Sequence, residues 1–224
     1  MTELKHLGVI CDGNRRWAKA QGLPTIEGHK KGLDAIETMV FAADEAGIPF
    51  ITFYVFSTEN WNRSAEEVNY LMKLIELKMV GLAKKLAKKN GKLVILGSKK
   101  NVDPKLIALL EKAEKITENC TGITMGVCFN YGGELEIADA ATIAAEVEGE
   151  ITPETIRKHL YHPEIPDVDM VVRTSGEERI SGFMLWRSSY AEFFFMEKFF
   201  PEIVAEDIDV IIKEYENRNR RFGK

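Results

Sequence analysis

The chain has 224 residues, of which 45% are hydrophobic and 29% charged, with a formal net charge of −5. That composition supplies a sizeable core and excludes a disordered chain, and the acidic balance argues against a general nucleic-acid binder. Three cysteines, Cys11, Cys120 and Cys128, form no CxxC pair, which argues against a disulfide framework and fits a reducing, cytoplasmic setting.

Residues 1–6 carry no apolar signal region, and no run reaches the ~20 apolar residues of a spanning helix. Any membrane contact is therefore expected at the surface, peripheral and transient. In chain order, short β-branched or aromatic runs predict strands over 7–11, 50–56, 92–96, 123–129, 170–173 and 192–195. They are apolar almost throughout, as strands buried on both faces of a parallel sheet are. Between them lie helical stretches over 29–46, 65–89, 104–118, 135–146, 153–160 and 207–218. Ile36, Met39, Val40 and Ala43 share one face of the first; Val68, Leu71, Met72, Ile75, Leu82 and Leu86 share one face of the second. Pro104 and Pro153 sit in first turns, where a missing N–H costs nothing. The alternation predicts a single α/β domain spanning 1–224, with a central, mostly parallel six-stranded sheet.

Ligands of open α/β sheets bind beyond the carboxyl ends of strands, so the loops that follow strands are the places to search. The first strand runs into Asp12-Gly13-Asn14-Arg15-Arg16-Trp17. Gly13 permits close backbone approach, and Arg15 and Arg16 match phosphate oxygens. Asp12 would repel a phosphate unless a divalent cation lies between, and one carboxylate plus phosphate oxygens is a usual way to hold Mg2+. A helix cap with a solvated basic turn explains this segment equally well. The second strand runs into Ser57-Thr58-Glu59-Asn60-Trp61-Asn62-Arg63, where Ser64 and Glu67 read as a capping box that leaves Trp61 and Arg63 unexplained. The fifth runs into Thr174 and on to Arg179, Ile180 and Ser181. Arginines at three strand ends of an acidic chain suggest two diphosphates side by side. GxxxxGK[ST], GxGxxG and GxSxG do not occur, so a P-loop, a dinucleotide fold and a nucleophile elbow have no support.

The chain resembles the cis-prenyltransferases, the undecaprenyl and related polyprenyl diphosphate synthases. The resemblance runs over nearly the whole chain: DGNRRWA at 12–18, EGHKKG at 27–32, FSTENWNR at 56–63, FNYGG at 129–133, RTSGEERIS at 173–181, YAEFFF at 190–195 and NRNRRFG at 217–223. It implies a homodimer and an elongated hydrophobic cleft. It implies that isopentenyl diphosphate is condensed onto an allylic diphosphate, farnesyl or geranylgeranyl, to give a Z-polyprenyl diphosphate, the precursor of a glycosyl carrier lipid. Asp12 would hold Mg2+ and be essential, with help from Glu192. Gly13, Asn14, Arg15, Arg16, Trp17 and His29 would surround the allylic diphosphate. Ser57, Thr58, Glu59, Asn60, Trp61 and Arg63 would form a loop over the reacting ends, with Asn60 at the proton-removal step. Arg173, Arg179, Ile180 and Ser181 would hold isopentenyl diphosphate, and the C-terminal segment would reach the dimer partner. The absence of a DDxxD pair counts against the all-helical prenyl synthases. Arg15, Thr25, Ser175, Glu178 and Gly182 depart from common bacterial forms, and the combination is similar to archaeal members. The alternative of a noncatalytic subunit of the same fold is disfavoured because Asp12, Asn60 and the arginines are retained. The growing tail is expected between helices 29–46 and 65–89, with strand 123–129, Ile123 included, at its floor.

Overall fold

The computed structural model describes residues 2–218. Six strands, β1 His6–Ile10, β2 Phe50–Ser57, β3 Lys92–Leu96, β4 Thr124–Tyr131, β5 Met170–Thr174 and β6 Glu192–Met196, form one sheet in the order β3-β4-β2-β1-β5-β6. Every pairing is parallel. β1 lies at the centre with β2 on one side and β5 on the other, and Ile10 is level with both Tyr54 and Arg173. The three arginine-bearing loops therefore leave the sheet side by side, at the position where the chain direction across the sheet reverses.

Seven helices among the described residues flank the sheet: α1 Asn14–Ala20, α2 Thr25–Glu45, α3 Ala65–Lys88, α4 Pro104–Thr117, α5 Gly133–Val147, α6 Pro153–His159 and α7 Asp207–Glu216. The sequence reading lacks α1 and begins α2 four residues late. α1 has only seven residues, too few for a periodic pattern, and α2 opens behind Pro24. The reason for Gly28 is steric: a Cβ there would stand 2.0 Å from the Asn14 carbonyl oxygen. The glycine lets α2 lie directly against α1.

One face of the sheet packs on α2, α3, α4 and α7 through Met39, Val40, Ile75, Leu106, Leu110 and Ile211 among others. The other face packs Val171, Phe183 and Met184 around Tyr54 and Tyr131. On that second face lies a fully buried ion pair. Arg187 Nη1 donates to Glu136 Oε1 at 2.7 Å, and Nη2 donates to the carbonyls of Tyr161 and His162 at 2.7 and 3.1 Å. The Tyr131 hydroxyl donates to the second Glu136 oxygen at 2.5 Å. With its partners satisfied this network fixes α5 against the segment after α6; removing one partner strands the rest in a dry environment. Arg187→Met should therefore lower the unfolding free energy by about 3–5 kcal/mol, measured by urea denaturation.

His6 is buried between the Pro166 carbonyl and the Thr52 hydroxyl, at 2.9 Å from each. Burial drives its pKa down to about 4, with the Pro166 hydrogen bond opposing and the Arg187 charge assisting. The unfolded chain takes up a proton near pH 6.5 that the folded chain refuses until about pH 4. His6 thus contributes stability above pH 6.5 that is lost as pH falls toward 4, on the order of 3 kcal/mol. The His6 ring resonances should remain those of neutral imidazole at pH 5 in a proton NMR titration.

Candidate active site

At the end of β1 the backbone is pinned from β5. The buried Thr174 hydroxyl donates to the Asp12 carbonyl at 2.7 Å and stands 3.1 Å from the Asp12 N–H. Gly13 follows with φ 100° and caps α1; a Cβ on it would meet Phe199 at 2.7 Å and Ser175 at 2.9 Å. Only a glycine takes this conformation in this space. Its N–H donates to Asp12 Oδ1 at 2.6 Å.

The Asp12 carboxylate is gripped from two further sides. Arg173 Nη2 donates to Oδ2 at 2.8 Å and Arg16 Nη2 to Oδ1 at 3.2 Å. Burial, the largest influence, pushes the Asp12 carboxyl up. The hydrogen bond and charge of Arg173, the charge of Arg16 and the Gly13 N–H together outweigh it and hold the carboxyl below its usual range. Arg173 is itself only 5% exposed. Its Nη1 donates to the Arg179 carbonyl and to Ser181 Oγ, at 2.5 and 2.9 Å. Its Nε and the Asn14 Oδ1 are buried atoms without a partner among the described residues.

Two carboxylates that the sequence reading gave no site role complete the cluster. Glu177 accepts from Arg16 Nη1 at 2.9 Å and also from Arg179. Glu67 accepts from Arg63 Nη1 at 2.9 Å, lies 3.3 Å from His29 Nε2 and 3.8 Å from Arg15 Nη1. Half of the expected capping box is present: Ser64 Oγ accepts the Glu67 N–H at 3.3 Å, while the Glu67 side chain turns to the arginines instead. Burial and the charges of Arg63 and Arg15 hold the His29 imidazole below its ordinary pKa against the pull of Glu67, so it is neutral at pH 7. Five guanidinium groups thus share three carboxylates, a local positive surplus in a chain of net −5.

A cavity of about 200 Å3 brings together Asp12, Asn14, His29, Asn60, Arg63 and Arg173, with Ser57 and Ser181 on its wall. Ser57, Asn60 and Ser181 also face an open cleft of about 580 Å3, which takes in Thr58 and Glu59 and the Gly132–Gly133 turn. Asn60 Oδ1 accepts the Ser57 N–H at 3.2 Å, closing a 3-10 turn over Thr58–Asn62. Trp61 is anchored backward: its Nε1 donates to Asn130 Oδ1 at 2.8 Å and its ring meets Phe56 edge-on. Trp17 is half-buried on α1, and Ile180 packs against the second core.

Glu192 is not part of this arrangement within one chain. It begins β6, level with Met170, roughly 13 Å along the strand from the end that bears the cluster. Its carboxylate pairs with Arg218 at 3.4 Å. The C-terminal motif lies, from residue 219 on, outside the described residues. Apolar space leads away from the arginine cluster. A void of about 50 Å3 shares Cys11, Asn14, His29 and Leu71 with the polar cavity and runs between α2, α3 and β2. No β4 side chain lines it. Ile123, expected at the floor, is 3% exposed and packed in the core near Leu86 and Gly91.

Comparison with known proteins agrees with this geometry. The family model described as "Putative undecaprenyl diphosphate synthase" matches residues 10–223. The isoprenyl transferase of Neisseria meningitidis serogroup B is 41% identical over 98% of this chain and 89% of its own length. That of Rickettsia typhi is 40% identical over the whole of both chains. The crystal structure of lavandulyl diphosphate synthase from Lavandula x intermedia, in complex with dimethylallyl diphosphate, superposes with TM-score 0.93 at 31% identity, covering 99% and 98% of the two chains. A "probable undecaprenyl diphosphate synthase" from Campylobacter jejuni does so with TM-score 0.86, also at 31% identity, over both full chains. A match of this extent, on a parallel sheet whose central strand ends converge on arginines, makes the chain a member of the undecaprenyl diphosphate synthase family, the cis-prenyltransferases, and an enzyme that transfers prenyl groups.

Proposed function

We propose that the cleft holds two diphosphates and condenses isopentenyl diphosphate onto an allylic prenyl diphosphate, farnesyl or geranylgeranyl, to give a Z-polyprenyl diphosphate that feeds a glycosyl carrier lipid. The observation that carries this reading is the surplus of five guanidiniums over three carboxylates, at the mouth of an apolar path between two helices. Anionic head groups and an isoprenoid tail need these two surroundings next to each other.

The chain's own groups divide the work. Arg15, Arg16 and Arg63, with Gly13, Asn14 and the neutral His29, would receive the allylic diphosphate. Arg173, Arg179 and Ser181 would receive isopentenyl diphosphate. Each diphosphate must displace a carboxylate, Glu67 or Glu177, that now occupies its arginines. Fixed guanidiniums then face the charge that develops as the allylic diphosphate leaves, where preorganised donors act most strongly. Holding two anionic reactants in register supplies a further part of the rate. Asn60 is an amide whose oxygen is already engaged, so it orients a proton path and is not the base; the departing diphosphate accepts the proton.

Asp12 offers the hard carboxylate oxygen that Mg2+ prefers, at a partly exposed position beside the proposed diphosphate sites. Mg2+ bound there would offset charge on the leaving diphosphate. Glu192 could join such a site only from a second copy of the chain. The exposed edge of β6, with Phe193, Phe194 and Phe195 only half-buried, supports a homodimer, since unpaired aromatic edges invite pairing. No helix among the described residues is long and apolar enough to cross a membrane, so release of the lipid product would require passing contact with a bilayer.

Incubation with labelled isopentenyl diphosphate, either primer and Mg2+, followed by chromatography of the dephosphorylated products, tests the reaction. Asp12→Ala should reduce incorporation on the order of 100-fold to 1000-fold while far-UV circular dichroism stays unchanged. Incorporation at the unmodified rate in that variant, or none by the unmodified chain with any primer, would overturn the reading.

A further inference from the structure

We propose that the outer seam between α2 and α3 is a yielding wall, closed by three lysine–carboxylate pairs, whose strength sets how far the isoprenoid tail can grow. This rests on reading the cleft as a polyprenyl diphosphate synthase site. The first observation is one of volume. The inner void that leaves the arginine cluster measures about 50 Å3, far below the ~300–1,000 Å3 that buries a drug-sized ligand. A polyprenyl tail does not fit, so the wall must move.

The second observation shows which wall. Beyond the inner void lies an outer one of about 230 Å3 between the same two helices, and both are lined by Leu33 and Ile75. Apolar residues line its floor, and lysine–carboxylate pairs cross between the helices at its outer edge. Lys78 stands 4.0 Å from Asp34, Lys85 2.6 Å from Glu37 and Lys89 3.3 Å from Glu45. Lys78 and Lys85 lie on α3 and Lys89 caps it, and the carboxylates follow down α2 in the same order; Lys89 also lies over the Phe41 ring. All six side chains are at least 34% exposed. Exposed pairs of this kind are weak and screened by salt, in contrast to interlocked apolar side chains. The half-buried Leu71 and Leu82, which face these voids from α3, are apolar surface that a tail would cover as the helices part.

The outer edge of the seam is therefore held by weaker contacts than the buried apolar residues beneath it, such as Ile36, Val40, Ile75 and Met79. Stronger closure should stop the tail early, and weaker closure should let it lengthen.

The test compares three proteins by product length and by the rate of the first condensation, with thermal melting as a check on folding. Lys78→Glu/Lys85→Glu places like charges across the seam and should move the main product at least one isoprene unit longer. Glu37→Leu/Lys85→Leu replaces one pair with apolar contact and should move it at least one unit shorter. The first-condensation rate should stay within about two-fold in both, because neither pair touches the arginine cluster, and higher salt should lengthen the products of the unmodified chain. Identical product distributions in all three proteins, or a shift in the same direction for both variants, would sink the inference while leaving the synthase reading intact. Failure of the unmodified chain to incorporate isopentenyl diphosphate would instead remove the reading beneath it.

Discussion

A nearly buried guanidinium at the end of β5 needs a counter-charge, and the first residue that β1 can offer it is Asp12. That single contact, at 2.8 Å, ties together two strand ends that the sheet order already makes neighbours. Thr174 repeats the tie through the backbone, and Gly13 turns the chain away at once into α1. A cation held in low dielectric acts more strongly on an anion than one in water does, and it has been desolvated in advance. Arg173 retains one buried N–H without a partner among the described residues, so its hydrogen-bonding capacity is not exhausted by Asp12, Arg179 and Ser181.

Around this fixed pair the remaining arginines are balanced by carboxylates with other attachments. Glu67 sits in the first turn of α3 and Glu177 in the loop after β5. Each spans two or more cationic groups, and each lies where a diphosphate would bring more negative charge and more acceptor oxygens than a carboxylate. The exchange replaces one counter-ion by a better one without leaving a guanidinium bare. This explains how an arginine-rich cleft is compatible with a folded chain before any substrate arrives.

The strands were legible in the sequence because they are short and apolar throughout: 92–96 matches Lys92–Leu96, and the others agree within two residues. The arginine loops were legible for a related reason, since charge directly after a buried strand has few structural explanations. α1 was not, because seven residues carry no periodicity, and the first turn of α2, which opens at Thr25 behind Pro24, lay outside the apolar pattern; only the fold shows that Gly28 and Gly32 let this helix approach Asn14. Glu67 was missed because a glutamate three residues after a serine already has a capping explanation. Asn130 was part of a quoted motif, but only the fold shows it anchoring Trp61. Glu192 shows the opposite limit. The motif identifies the residue, yet parallel register places it at the far end of its strand from Asp12, a fact no linear pattern contains.

The proposed head-group site and tail path are closed by different kinds of force. The head-group site is anchored by the charge-assisted Asp12–Arg173 pair, which ties two strand ends together and resists displacement. The tail path is closed on its outer side by exposed pairs worth ~0.2–1 kcal/mol each. Burying one further isoprene unit gains on the order of 3–4 kcal/mol at ~0.8 kcal/mol per carbon. That equals or exceeds the combined worth of Lys78–Asp34, Lys85–Glu37 and Lys89–Glu45. In the proposed seam, burial of one further unit would therefore offset the loss of these outer pairs, while the apolar contacts of Ile36, Val40, Ile75 and Met79 beneath them would be exchanged for contacts with the tail. On the proposed reading the reacting ends would stay beside Asp12 and Arg173, and the volume that each cycle adds would be taken up at the wall that costs least to move.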